Sequence, residues 1–177
     1  MSKDLTQVLA NYREGKMVIV TDHEGRENEA DLVMAAEFAD QEKIAFMIRY
    51  TSGVICVALT ADRARELQLP QMVANNQDKK STAFTVSVDY KVGLTTGISA
   101  KERASTIVSL ASPTTKSIDL IRPGHIFPLV AHKNLLKSRL GHTEAAVALS
   151  MLTERQLVGV IAELVNDDGS MMKGAEL

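Results

Sequence analysis

Residues 17–36, MVIVTDHEGRENEADLVMAA, place a polar connection between two apolar stretches, Met17 to Val20 and Leu32 to Ala36. Both stretches are short, rich in β-branched or small aliphatic residues, and read as buried strands. The connection holds five carboxylates in ten residues: Asp22, Glu24, Glu27, Glu29 and Asp31. Such a loop repels itself unless Arg26, a cation or substrate hydroxyls compensate, and a hard ion such as Mg²⁺ favours oxygen ligands of this kind. A solvated acidic turn has the same composition, and charge alone does not separate the two.

Outward from this stretch, helix and strand patterns alternate. Leu5, Val8, Leu9 and Tyr12 fall at helical spacing before Gly15, and Gln41 to Tyr50 repeats that pattern. Val54 to Leu59 reads as a buried strand, followed by a helix that Thr60 caps and Pro70 ends, and then by a polar loop at Asn75 to Ser81. Phe84 to Val88 alternates like a half-buried strand, and Ser99 with Glu102 has capping-box spacing before a helix over Lys101 to Leu110. Ile126 to Ala131, Thr143 to Leu152 and Leu157 to Val165 read as strand, helix and strand. Interleaving of this kind predicts an α/β or α+β layer fold, a mixed sheet flanked by helices, in one domain over residues 1–177.

Composition narrows the function. With 45% hydrophobic and 24% charged residues the chain specifies a packed globule. Twenty Lys and Arg against 22 Asp and Glu leave a net charge of −2, so no general basic field draws nucleic acid or an anionic membrane. Aromatics are 4%, with no Trp, which disfavours a base-stacking surface. The lone Cys56 rules out an internal disulfide and a thiolate-rich zinc site; it reads as a small core residue in a reducing, cytoplasmic setting. The first fifteen residues lack a signal-peptide apolar stretch, and no membrane span is expected.

Three more features carry chemistry. Arg139, Leu140, Gly141, His142 and Thr143 precede the apolar run Ala145 to Leu152, where the N-terminus of a helix favours an anion that Arg139 and Thr143 could also hold. An ordinary capping segment would look the same. Glu163 interrupts the apolar run from Val158 to Val165; it is either a carboxyl whose pKa burial raises, suited to proton transfer, or an edge residue facing water. His125 sits among Pro123, Gly124 and Pro128 in what reads as a stiff turn, and Thr95, Thr96, Gly97 and Ser99 form a hydroxyl-rich loop.

In that order, DHEGRENEAD (22–31), TTGIS (95–99), RPGHIFPL (122–129), RLGHTEA (139–145) and ELVNDDGSM (163–171) resemble the motifs of the 3,4-dihydroxy-2-butanone 4-phosphate synthase family of riboflavin biosynthesis. The resemblance implies a Mg²⁺-dependent lyase, with Mn²⁺ as an alternative and no organic cofactor, that converts D-ribulose 5-phosphate into formate and 3,4-dihydroxy-2-butanone 4-phosphate. It further implies Glu27 and His142 as metal ligands and His125 and Glu163 as catalytic groups; beside them, Asp31 or a neighbouring carboxylate of the acidic loop reads as the catalytic first base. Substrate contacts would come from Arg26, Glu27, Asp31, Thr96, Arg139, Gly141, Thr143 and Glu163. A homodimer is expected, with no nucleic-acid or membrane partner. Gly25, Ala30, Glu102 and Leu140 depart from common family residues without removing an implied ligand, and relatives usually continue through a further helix and strand. Two other functions fit the same residues: a catalytically silent sugar-phosphate-binding domain, and the synthase half of a bifunctional flavin-pathway protein.

Overall fold

A computed structural model describes residues 5–23 and 25–173. Six strands form one mixed sheet in the order β1-β2-β6-β3-β5-β4. They are β1 (Val18–Thr21), β2 (Ala30–Ala35), β3 (Cys56–Leu59), β4 (Val88–Tyr90), β5 (Leu120–Val130) and β6 (Val158–Glu163). Among the described residues, five α-helices accompany them: α1 (Leu5–Arg13), α2 (Gln41–Tyr50), α3 (Ala61–Glu66), α4 (Ala100–Ala111) and α5 (His142–Leu152). Among the described residues, only β3 and β5 pair in parallel; the other ladders are antiparallel. The expected mixed sheet flanked by helices is therefore present.

Strand alternation divides the core into two layers. Leu32, Met34, Val57, Leu59, Val160, Ala162 and Ile126 face one side, where Ile44 and Met47 of α2 and Ile107 and Leu110 of α4 cover them. Val33, Ala35, Cys56, Ala58, Ile161 and Leu129 face the other, under Ala146 and Val147 of α5 and Tyr12 of α1. Each large aliphatic side chain buried in these layers contributes about 1.5–3 kcal/mol. Helix starts follow local chemistry: Asp40, Thr60 and Ser99 accept from the backbone N–H of Lys43, Arg63 and Glu102, as N-caps do.

Tyr12 ties α1 to α5. Its hydroxyl hydrogen-bonds Ser150 at 2.8 Å and donates to the Ala146 carbonyl at 3.3 Å. Burial pushes its pKa from 10.0 up to about 12. Because the folded state keeps the phenol proton, the associated stability is complete below pH 10.0 and is lost as pH rises through about 12. Two pH units correspond to about 3 kcal/mol. Tyr12→Phe should flatten the alkaline unfolding curve in that window, as followed by circular dichroism, at a cost of about 1 kcal/mol at neutral pH.

Several boundaries differ from those expected. β2 begins at Ala30 rather than Leu32, because Thr21 pairs with Ala30 and the Asp22 N–H donates to the Glu29 carbonyl, so pairing extends back toward the loop. Asp31 thus lies inside a strand. The regular strand expected over Phe84 to Val88 is replaced by isolated bridges at Phe84 and Thr85, with β4 starting only at Val88. The facing residue Pro128 has no N–H to sustain a ladder there. The stiff turn expected around His125 lies instead within β5, where residues 122–125 are skipped by the ladder with β4 between Ile121 and Ile126; proline's fixed φ is compatible with extended backbone. Gly124 lets β4 press against it: a Cβ there would lie 2.0 Å from the Val88 carbonyl carbon.

Candidate active site

The face beneath α5 ends in polar groups. Two residues beyond Val33 and Ile161 on their strands, alternation places Asp31 and Glu163 on the same face, and the two are paired across β2 and β6. β6 is an interior strand, so Glu163 is not the edge residue one expectation allowed. Neither is it sealed in the core: it is the last residue of the strand, and its side chain is open to solvent. Burial of part of the group raises its pKa first of all, and the charges of Asp31, Glu29 and Glu27 push in the same direction. A hydrogen bond from Ser52 offsets some of this.

His142, the first residue of α5, meets the pair from above. Its Nδ1 stands 2.9 Å from Asp31 Oδ1, an ion-pair approach without the alignment of a hydrogen bond. Burial works against the cationic imidazole, but Asp31 and Asp22 outweigh it together, and the pKa is raised above the usual histidine value. His142 Nε2 is buried with no hydrogen-bond partner among the described residues.

The acidic connection folds around Arg26. Its guanidinium lies 2.5 Å from Asp22 and 2.6 Å from Glu27, so one cation bridges two of the five carboxylates. Asp22 also accepts from the Glu29 N–H at 2.9 Å. Burial would raise its pKa, yet the Glu29 N–H and Arg26 hold it below the ordinary value. Lys80 and Lys173 reach over the loop to the Arg26 and Glu27 carbonyls. Glu24 lies outside the described residues.

A cavity of about 640 Å³ opens between this loop and α5, lined by Asp22, His23, Arg26, Leu140, Gly141 and His142 among others. The helix terminus facing it has Gly141 as N-cap, with no side chain bonded to the first-turn N–H groups. Those donors, with the positive end of the helix, suit a phosphate. Leu140 turns its side chain outward, 70% exposed. Thr143 is buried in the first turn. Arg139 is held by three partners: Glu144 at 2.6 Å, Thr82 at 3.1 Å and the Lys80 carbonyl at 3.2 Å.

Gly141 permits that arrangement. A Cβ there would sit 2.2 Å from Arg139 Nη1 and 2.8 Å from Glu144 Oε2. Gly141→Ala should therefore separate the Arg139–Glu144 pair and cost about 1–3 kcal/mol, as urea unfolding would measure.

His125 stands on the same sheet face with Gly97 of the hydroxyl-rich loop against it, whereas Thr96 lines a separate cavity with Tyr90, Glu102 and Ser105. His125 shares its side of β5 with Phe127 and Leu129, and β3 lies between β5 and β6. Two strand spacings put its backbone roughly 10 Å from that of Glu163. Its partner is buried Asp89, with Nδ1 2.7 Å from Oδ2. Sequence reasoning counts Asp22 among the crowded carboxylates of the acidic connection but assigns no role to Asp89 or Glu144. Glu144 was detectable as a carboxylate in the first turn of an apolar helix; Asp89 had no comparable signal.

His142, Glu27, Asp31 and Glu163 thus come from the helix start, the acidic loop and two paired strands. Residues 6–177 match the family model described as 3,4-dihydroxy-2-butanone 4-phosphate synthase. The chain belongs to the 3,4-dihydroxy-2-butanone 4-phosphate synthase family.

Its similarity to that family extends to individual proteins. It is 54% identical over 170 residues to the 3,4-dihydroxy-2-butanone 4-phosphate synthase of Candida albicans, covering 96% of this chain and 83% of that protein. It is 50% identical to the riboflavin biosynthesis protein RibBA of Salinispora arenicola over 98% of this chain but only 41% of that one. The chain therefore spans less than half of this longer relative. Among solved structures, a 3,4-dihydroxy-2-butanone 4-phosphate synthase in complex with two magnesium ions superposes with a TM-score of 0.95 at 42% identity, covering 98% of this chain and 86% of that one.

Among the described residues, no three His, Cys, Asp or Glu side chains already converge as a metal cage. The residues nonetheless fit a divalent ion that takes its remaining ligands from water or substrate. The orphaned His142 Nε2 points at no protein partner, while Asp31 sits at the other ring nitrogen, as a carboxylate does behind a metal-bound histidine. No helix among the described residues is long and apolar enough to cross a membrane.

Proposed function

We propose that this chain acts as a Mg²⁺-dependent lyase that converts D-ribulose 5-phosphate into formate and 3,4-dihydroxy-2-butanone 4-phosphate. The observation that carries this function is the Asp31 and Glu163 pair beneath the uncapped N-terminus of α5: proton-transfer groups beside a ready phosphate site.

The phosphate binds the first-turn N–H groups of Gly141 to Thr143, which fixes the distance from sugar carbons to carboxylates. Arg139 joins that phosphate site from its place beside Glu144. Arg26 and Glu27 orient the sugar hydroxyls, and Thr96 adds a hydroxyl from the α4 side. Glu27 and His142 would hold Mg²⁺, which when bound supplies Lewis-acid stabilisation of negative charge developing on substrate oxygens. Asp31 or a neighbouring carboxylate of the acidic loop takes the first proton, from the carbon beside the carbonyl. Glu163, whose raised pKa suits both taking and giving a proton, serves the later transfers with His125. A homodimer in the cytoplasm belongs to the same proposal; exposed Leu136 and Leu140 beside the cavity and the buried free Cys56 support it.

The test is incubation of the purified chain with D-ribulose 5-phosphate, with and without Mg²⁺, followed by detection of formate and the four-carbon phosphate. Folded, metal-replete protein that releases neither product would be a silent binding domain.

A further inference from the structure

Asp89 is a buried carboxylate, 3% exposed, on a short strand next to the sheet's longest one. The ladder between β4 and β5 slips between Val88 and Asp89, and such an irregularity re-aims a side chain. Here both oxygens go to one residue: Oδ1 accepts from the His125 backbone N–H at 2.9 Å, and Oδ2 lies 2.7 Å from His125 Nδ1. No other hydrogen bond to this carboxylate is present among the described residues. Gly97 closes the pair from the hydroxyl-rich loop. Its φ is +87°, and a Cβ there would lie 2.2 Å from Asp89 Oδ2 and 2.7 Å from His125 Nδ1. The loop backbone therefore packs directly on the carboxylate–imidazole contact, leaving no room for water on that side.

We propose that Asp89 is a positioning residue for His125: it fixes the imidazole as the Nδ1–H tautomer, leaving Nε2 bare at the open end of the sheet as the atom that exchanges protons. An ionised carboxylate has no proton to give, so Nδ1 donates and Nε2 carries the lone pair. When Nε2 takes a proton, Asp89 stabilises the resulting imidazolium; a later step returns that proton, and the ring ends the turnover neutral. Gly97 keeps water from its side of the pair, which strengthens the interaction there. Asp89 does not touch the reacting atoms itself. This role rests on the lyase function proposed above.

The experiment joins kinetics to ¹⁵N NMR of the His125 ring across a pH series. In the wild-type protein the neutral ring should show a protonated Nδ1 and an unprotonated Nε2. Asp89→Asn presents an amide where the carboxylate stood, so the other tautomer should gain population and kcat should fall about 10- to 1,000-fold, with KM within about threefold. A merely structural role would lower the melting temperature without moving the ring shifts. The proposal is overturned by an Nε2–H tautomer in wild type, by a kcat loss with unchanged ring shifts, or by full activity in the variant. Should Asp89→Asn fail to fold, the wild-type ring alone decides. A wild-type chain that releases no formate would overturn the lyase function instead, and the ring measurement would still test the Asp89–His125 pair.

Discussion

Glu163→Gln should reduce formate release by about 10²- to 10⁴-fold, the range expected when a proton-transfer group is removed, while leaving the fold slightly more stable. The two effects have one origin. Glu163 faces Asp31 across neighbouring strands and feels Glu29 and Glu27, so its ionised form is disfavoured in the folded chain. A carboxyl with a raised folded pKa contributes its full stability only below the unfolded value and loses it as pH rises through the folded one. At neutral pH the charge is therefore a cost, and glutamine removes it with little change in shape. Because the side chain is open to solvent, the gain is under about 1 kcal/mol. Thermal melting and a formate assay at pH 7 would measure both. Near wild-type formate release would remove Glu163 from the mechanism.

His142→Ala should abolish the rise in melting temperature produced by Mg²⁺ and lower formate release at least 100-fold, consistent with loss of a ligand rather than of its support. It should also destabilise the metal-free protein by about 3 kcal/mol, because Asp31 loses its partner in a buried setting. Adding Asp31→Asn should restore much of that stability without restoring activity. This double variant separates the two roles of the pair: isolated charge explains the stability loss, whereas the missing ring nitrogen explains the lost ion. An Mg²⁺-dependent melting shift that survived in His142→Ala would exclude His142 as a ligand.

Much of the architecture was legible before any coordinates. Helical spacing at Leu5 to Tyr12 and Gln41 to Tyr50, and the β-branched runs at Val18 and Val158, follow from local periodicity. So do the caps at Thr60 and Ser99, since the capping bond spans three residues. The elements misjudged were those whose form depends on a distant partner. Phe84 to Val88 alternates well enough for a strand, but Pro128, more than forty residues away, withholds the N–H its ladder needs. Pro123 and Gly124 read as a turn, yet both lie within β5, in the stretch that its ladder with β4 skips between Ile121 and Ile126.

The candidate site divides along the same line. By itself the sequence determined which side chains are chemically able to act: a crowded acidic loop, a glycine and histidine at a helix start, a carboxylate inside an apolar strand. Those are properties of residue type and near neighbours, and they travel with the chain. Only the tertiary structure decided that Glu163 opposes Asp31, that Asp31 stands behind His142, and that Asp89 takes up His125, because strand register between residues more than thirty positions apart is set by how whole faces bury together.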